Sequence, residues 1–189
     1  MALPKRKKNR LRGFDYSSSG AYFITVCVNE RQSLLSNIVG DGIPDIPENK
    51  LTAYGKTAEK YLNNMASFYP DIHIDKYVIM PNHIHLLLSV HGAPGTAHPT
   101  NSAVAGFVGT FKRLCNKEYK RNIWQRSYHD HIIRGDDDYA KISDYIDTNV
   151  IRWKSDCFYK KKTAVKITAV FLVFKLEGVD LFSGVVLNI

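Results

Sequence analysis

Two hydrophobic rhythms run along this chain, one of period two and one near 3.6. Ala21 to Val28 (AYFITVCV) is almost continuously apolar and rich in β-branched and aromatic residues, which predicts a buried strand. Gly40, Gly42, Pro44 and Pro47 then break the pattern, and the segment reads as a loop. Thr52 to Phe68 predicts a helix, with Ala58, Tyr61, Leu62 and Met65 available to face a sheet and Pro70 to end it. Ile72 to Met80 alternates and then turns continuously apolar, and His83 to Val90 follows after the turn pair Pro81-Asn82. Two strands joined this closely form an antiparallel hairpin.

A Gly/Pro loop from Gly92 to Asn101 leads to a second helix, capped by Asn101 or Ser102 and running to about Arg121. Its apolar stripe is Val104, Phe107, Val108, Phe111, Leu114 and Cys115. A short strand is expected at Tyr128 to Ile133. A last helix is expected from about Asp137 to Thr148, where Asp136, Asp137 and Asp138 suit the positive end of the helix dipole. The order strand, helix, strand, strand, helix, strand is the ferredoxin-like split βαβ arrangement. The expected class is α+β, a sandwich with an antiparallel sheet and one extra C-terminal helix.

At 189 residues the chain suits one domain with tails, divided as a basic arm (1–12), a domain (13–159) and a tail of unassigned role (160–189). Its net charge of +8 and isoelectric point near 9.3 favour a polyanionic partner, nucleic acid before membrane. Residues 5–12 (KRKKNRLR) concentrate that charge as a solvated run able to neutralise phosphates. Cys27, Cys115 and Cys157 form no CxxC pair. They indicate neither a disulfide framework nor a thiolate metal site, and a reducing cytosolic setting fits them. No targeting or transmembrane segment is read from the pattern.

His83 and His85 sit at i and i+2 on a predicted strand, so both imidazoles project from one face. That is half of a divalent-metal site, although buried histidines of purely structural role produce the same spacing. His129 and His131 repeat it, but around Asp130 rather than an apolar residue, so the first pair is preferred. His73, His91 and His98 have no partner at useful spacing. On the last helix Tyr145 and Asn149 lie one turn apart on one face, as a phenol and a possible oxygen ligand. Packing by Tyr145 and helix capping by Asn149 would account for them equally well.

The run YVIMPNHIHLLL (Tyr77 to Leu88) resembles the HUH signature of REP-associated tyrosine transposases, relatives of the insertion-sequence single-tyrosine transposases. WQRSYHDHIIR (Trp124 to Arg134), SDYIDTN (Ser143 to Asn149) and GFDYSSSGAYFITVCVNER (Gly13 to Arg31) are similar to further segments of that family, in its order. The resemblance implies a DNA strand transferase acting on single-stranded or hairpin DNA with Mg2+ or Mn2+. Within it, His83, His85 and Asn149 are metal ligands and Tyr145 is the nucleophile that forms a 5′-phosphotyrosine. It also implies a cytoplasmic protein, nucleoid-associated when bound to DNA, either monomeric or homodimeric. Lys5, Arg6, Lys7, Lys8, Arg10, Arg12, Lys112, Arg113, Lys117, Lys120, Arg121 and Arg126 are the expected phosphate contacts; Trp124, Tyr128 or Phe14 could stack on unpaired bases, with core packing the favoured role for at least some of them. Two features depart from the family: Val150 follows Asn149 where a proline is usual, and the tail has no counterpart. They motivate a rival reading, a hairpin-binding remnant without cleavage. A metallonuclease in which water attacks is a further rival, with Tyr145 only packing. An RNA-binding ferredoxin-like domain is the last, without an RNP-type aromatic motif in its favour.

Overall fold

A computed structural model describes residues 19–40, 47–91 and 103–159. The basic arm, Phe14, His98, the expected caps Asn101 and Ser102, most of both Gly/Pro loops and the tail lie outside them. The first strand, β1 (Gly20–Cys27), alternates its side chains between two faces. Tyr22, Ile24 and Val26 enter one buried layer, while Phe23, Thr25 and Cys27 point to the other side.

The segment read as a loop contains a two-stranded ribbon, β2 (Ser36–Val39) paired antiparallel with β3 (Glu48–Leu51). It is tied to the main sheet where Ser36 Oγ and Asn49 Nδ2 both donate to the Ile79 carbonyl, at 3.2 and 2.8 Å. Thr52 then caps α1 (Ala53–Asn64), its hydroxyl accepting from the Gly55 amide. The helix is shorter than its sequence suggests. Its last predicted residues form a 3-10 turn, Met65–Ser67, ahead of Pro70.

The predicted hairpin is β4 (Ile72–Ile79) and β5 (His83–Val90), antiparallel, with a register shift between Ile74 and Lys76. Helix α2 (Ala103–Tyr119) buries Val104, Phe107, Val108, Phe111 and Cys115 as its stripe requires. Strand β6 (His129–Ile132) and helix α3 (Asp136–Thr148) complete the order, with the three expected aspartates in the first turn of α3.

The main sheet runs β4-β5-β1-β6 with every neighbour antiparallel, which is the ferredoxin-like order with the β2–β3 ribbon inserted after β1. Helices α1 and α2 pack on one face against Tyr22, Ile24, Val26, Ile84, Leu86 and Leu88. Each such side chain contributes on the order of 1.5–3 kcal/mol when removed from water. Helix α3 packs on the opposite face, over β4 and β5. It is fastened there by Tyr139 donating to Asp75 at 3.1 Å and by the Lys76–Asp147 ion pair. Strand β5 is therefore covered on both faces, and the face it turns toward α3 carries His83 and His85. No described helix is long and apolar enough to cross a membrane.

Candidate active site

The two histidines of β5 meet each other, their Nε2 atoms 2.9 Å apart. Neither has appreciable exposure, at 0 and 1%. Asn82, in the turn before β5, fixes the first ring. Its amide donates to the Phe158 and Arg31 carbonyls, which leaves Oδ1 to accept from His83 Nδ1 at 2.8 Å. This assigns the proton of His83 to Nδ1 and turns the Nε2 lone pair inward. His85 Nδ1 lies 2.9 Å from the Thr25 hydroxyl on the neighbouring strand. A hydroxyl can donate or accept, so either neutral form of His85 is satisfied. Burial, reinforced by the Arg31 charge, lowers the His83 pKa to about 3. Burial and then the neighbouring His83 likewise hold His85 well below the ordinary imidazole range. Both rings are neutral at physiological pH, as metal ligands must be.

Helix α3 delivers Tyr145 to this pair. The phenol oxygen lies 3.3 Å from His85 Nε2 and donates to Asp156 Oδ2 at 3.0 Å. Phe23 stacks on His85, with centroids 5.0 Å apart, and meets Tyr145 edge-on. Burial first, and the Asp156 charge second, raise the Tyr145 pKa to about 12, so the phenol keeps its proton. Asn149 caps the C-terminus of α3 with helical backbone angles. The helix does not run on past it: turns follow Asn149, then a 3-10 turn at Trp153–Ser155. Asn149 is fully buried. Its Nδ2 donates to Asp156 Oδ2 at 3.2 Å, while its Oδ1 has no hydrogen-bond partner.

Asp156 has no place in the sequence reading. It lies in an irregular segment after α3, with no periodicity or motif to mark it. Its position is fixed by chain reversal: Oδ1 accepts from the Phe158 amide at 2.7 Å, and the Phe158 ring covers His83 with centroids 4.5 Å apart. His83, His85 and Asp156 offer ligand atoms within 4.8 Å of one another.

This donor set fits a divalent cation. Two nitrogens each about 2.1 Å from one ion, at right angles, lie roughly 3.0 Å apart. The observed Nε2 separation is 2.9 Å, and the buried orphan oxygen of Asn149 is an acceptor that a cation would satisfy.

The other predicted residues are placed differently. His129 and His131 are exposed on β6, and His131 bonds to Asp138 rather than to a ligand set. His73 pairs with Asp75. Arg113 and Lys117 are exposed on α2, in the helical layer across the sheet from Tyr145; Lys120 is exposed in the turn after it, and Arg121 lies 5.2 Å from the Tyr54 ring. Lys112 donates to the Gln125 and Ser127 carbonyls at 2.8 and 2.9 Å, and burial lowers its pKa to about 8. Its ammonium therefore holds the segment before β6. Arg126 is exposed in that segment. Of the aromatics weighed between base stacking and core packing, Trp124 is buried against Phe111, and Tyr128 packs partly buried on the same core.

Residues 16–149 match the family described as transposase IS200 like. The chain belongs to that family. An uncharacterised protein of Haemophilus influenzae is 30% identical to this IS200-like transposase, across 82% of the chain and 93% of the relative. A second protein of the same organism, bearing the name REP-associated tyrosine transposase, is 27% identical across 73% of the chain and 74% of its own length. Among solved structures, a REP-associated tyrosine transposase bound to a REP hairpin superposes with a TM-score of 0.55 at 20% identity, covering 80% of the transposase and 74% of that chain. This likeness concerns the fold. Function in DNA binding and transposition follows from the family.

Proposed function

We propose that this transposase cuts and rejoins single-stranded DNA at hairpin elements, with Tyr145 as nucleophile. The observation that carries the reading is the meeting of the Tyr145 hydroxyl with His85 and Asp156 in a partly buried pocket. The phenol oxygen attacks phosphorus, the bond from phosphorus to the 3′ oxygen breaks, and a 5′-phosphotyrosine and a free 3′-hydroxyl result. The phosphodiester energy is kept in the new ester, so the strand can be rejoined without a nucleotide cofactor.

His83, His85 and Asn149 would hold Mg2+ or Mn2+, which when bound supplies Lewis-acid polarisation of the scissile phosphate. The protein residues do the rest. Asn82 and Thr25 orient the two rings, and Phe23 and Phe158 wall the pocket against water. The basic arm would take phosphates of the folded strand, as would the exposed cations of α2 on the side of the sheet opposite Tyr145. The hairpin carried by the structurally similar REP-associated protein supports a folded single strand as substrate.

The test is labelled hairpin DNA incubated with Mn2+ or Mg2+, and resolved on a denaturing gel. The expected outcome is a covalent protein–DNA adduct with the native chain and none with Tyr145→Phe. Cleavage without an adduct would establish water as the attacking group. Binding of a matched hairpin without cleavage would establish a binding remnant.

A further inference from the structure

We infer that Asp156 is the anionic ligand of the divalent ion, completing a donor set of two imidazoles, one carboxylate and the Asn149 amide oxygen. The inference rests on the proposal that an ion sits between His83 and His85.

Charge is the first argument. His83, His85 and Asn149 are all neutral, and a divalent cation held by them alone would carry its full charge into a buried pocket. That is an expensive arrangement unless an opposite charge accompanies it. Asp156 is the acidic member of the one group of His, Cys, Asp or Glu found close enough to hold a metal among the described residues. Chemistry is the second argument. Mg2+ and Mn2+ prefer hard oxygen donors, and two borderline imidazoles with a single uncharged amide oxygen form a weak set for either.

Geometry is the third. Asp156 is held as a built ligand is held, with Oδ1 on the Phe158 amide and Oδ2 on Tyr145 and Asn149. The bond from Asn149 Nδ2 also decides which way that amide points. Turning it over would set its oxygen against the carboxylate, so Asp156 keeps the unpartnered Asn149 oxygen free for the ion. The carboxylate thereby couples the nucleophile and the metal ligands. Asp156 lies seven residues beyond the end of the family match at Asn149, so this position is a reading of the chain's own geometry.

The experiment is Mn2+ titration of the full chain after EDTA dialysis, with free Mn2+ followed by its electron paramagnetic resonance signal and no DNA present. Asp156→Asn keeps an oxygen able to accept from Tyr145 and should leave the metal-free melting temperature near that of the native chain. Its Mn2+ affinity should fall by more than the roughly 10–100-fold that an outer partner costs. The Mn2+-induced rise in melting temperature should shrink with it. Asp156→Glu retains the carboxylate and should recover much of the affinity, which keeps the test decisive if Asp156→Asn folds poorly. If Asp156→Asn binds Mn2+ within twofold of the native chain while His83→Ala does not bind, Asp156 is no ligand and the metal reading stands. If His83→Ala binds as tightly as the native chain, or the native chain binds nothing, the metal reading fails and this inference goes with it.

Discussion

Neutral imidazoles sealed at 0 and 1% exposure tie stability to acidity. The folded-state pKa of His83 is depressed to about 3, and that of His85 is depressed as well. The unfolded chain therefore takes up these protons first as pH falls. Their contribution is complete above the ordinary imidazole value of about 6.5 and is lost as pH falls below it, at roughly 1 kcal/mol per pH unit for each ring. Urea unfolding in EDTA at pH 7.5 and pH 5 should show a clearly lower midpoint at pH 5. Equal midpoints would show that one or both rings are charged or solvated in the folded chain. Tyr145 shifts the opposite way, to about 12, which keeps the proposed nucleophile protonated until something in the pocket favours the phenolate.

At the scale of elements, two glycines in helices make opposite predictions. A Cβ on Gly55 would lie 2.1 Å from the Leu35 carbonyl oxygen, because α1 is drawn hard against the irregular segment before β2 by the Thr52 hydrogen bonds to Leu34 and Leu35. Gly55→Ala should cost about 2–3 kcal/mol through forced backbone displacement. A Cβ on Gly109 in α2 meets nothing within 4 Å, so Gly109→Ala should stabilise by about 0.5–1 kcal/mol through helix propensity alone. Thermal melts of the two variants should move in opposite directions, and a stabilising Gly55→Ala would overturn the close approach. The same scale explains what the sequence revealed. The i, i+2 rule places His83 and His85 on one face, and the i, i+4 rule places Tyr145 above Asn149, because both rules are local. The β2–β3 ribbon escaped notice because SNIV and ENKL are four-residue strands without an apolar alternation, held by each other and by the Ile79 carbonyl. Asp156 escaped for a related reason. Its place is set by a chain reversal after α3 and by the long-range contacts of Phe158 to His83 and Asn82, which no local pattern encodes.

Across the whole molecule, the exposed α2 cations Arg113 and Lys117 lie in the helical layer on the far side of the sheet from Tyr145. The arm carries six basic residues and no acidic one, so removing residues 1–12 takes the net charge from +8 to +2. If those six meet phosphates, the slope of log affinity against log salt should become shallower by up to roughly 4–5 units on deletion. An unchanged slope would show that the arm makes no phosphate contact. Lys112→Met should leave the slope unaltered but cost about 1–3 kcal/mol of stability, because two carbonyls lose their donor. A slope reduced by about 1 would instead place its ammonium on DNA. Asp156 also has a consequence in time. With Asp156 as the inferred ligand, the centre would need a residue made 71 positions after His85, and at about 5–20 residues per second of synthesis roughly 4–14 s separate the two. A growing chain thus carries its paired histidines, and then its tyrosine, before the carboxylate that joins them exists, so a centre completed by Asp156 would be armed late in translation.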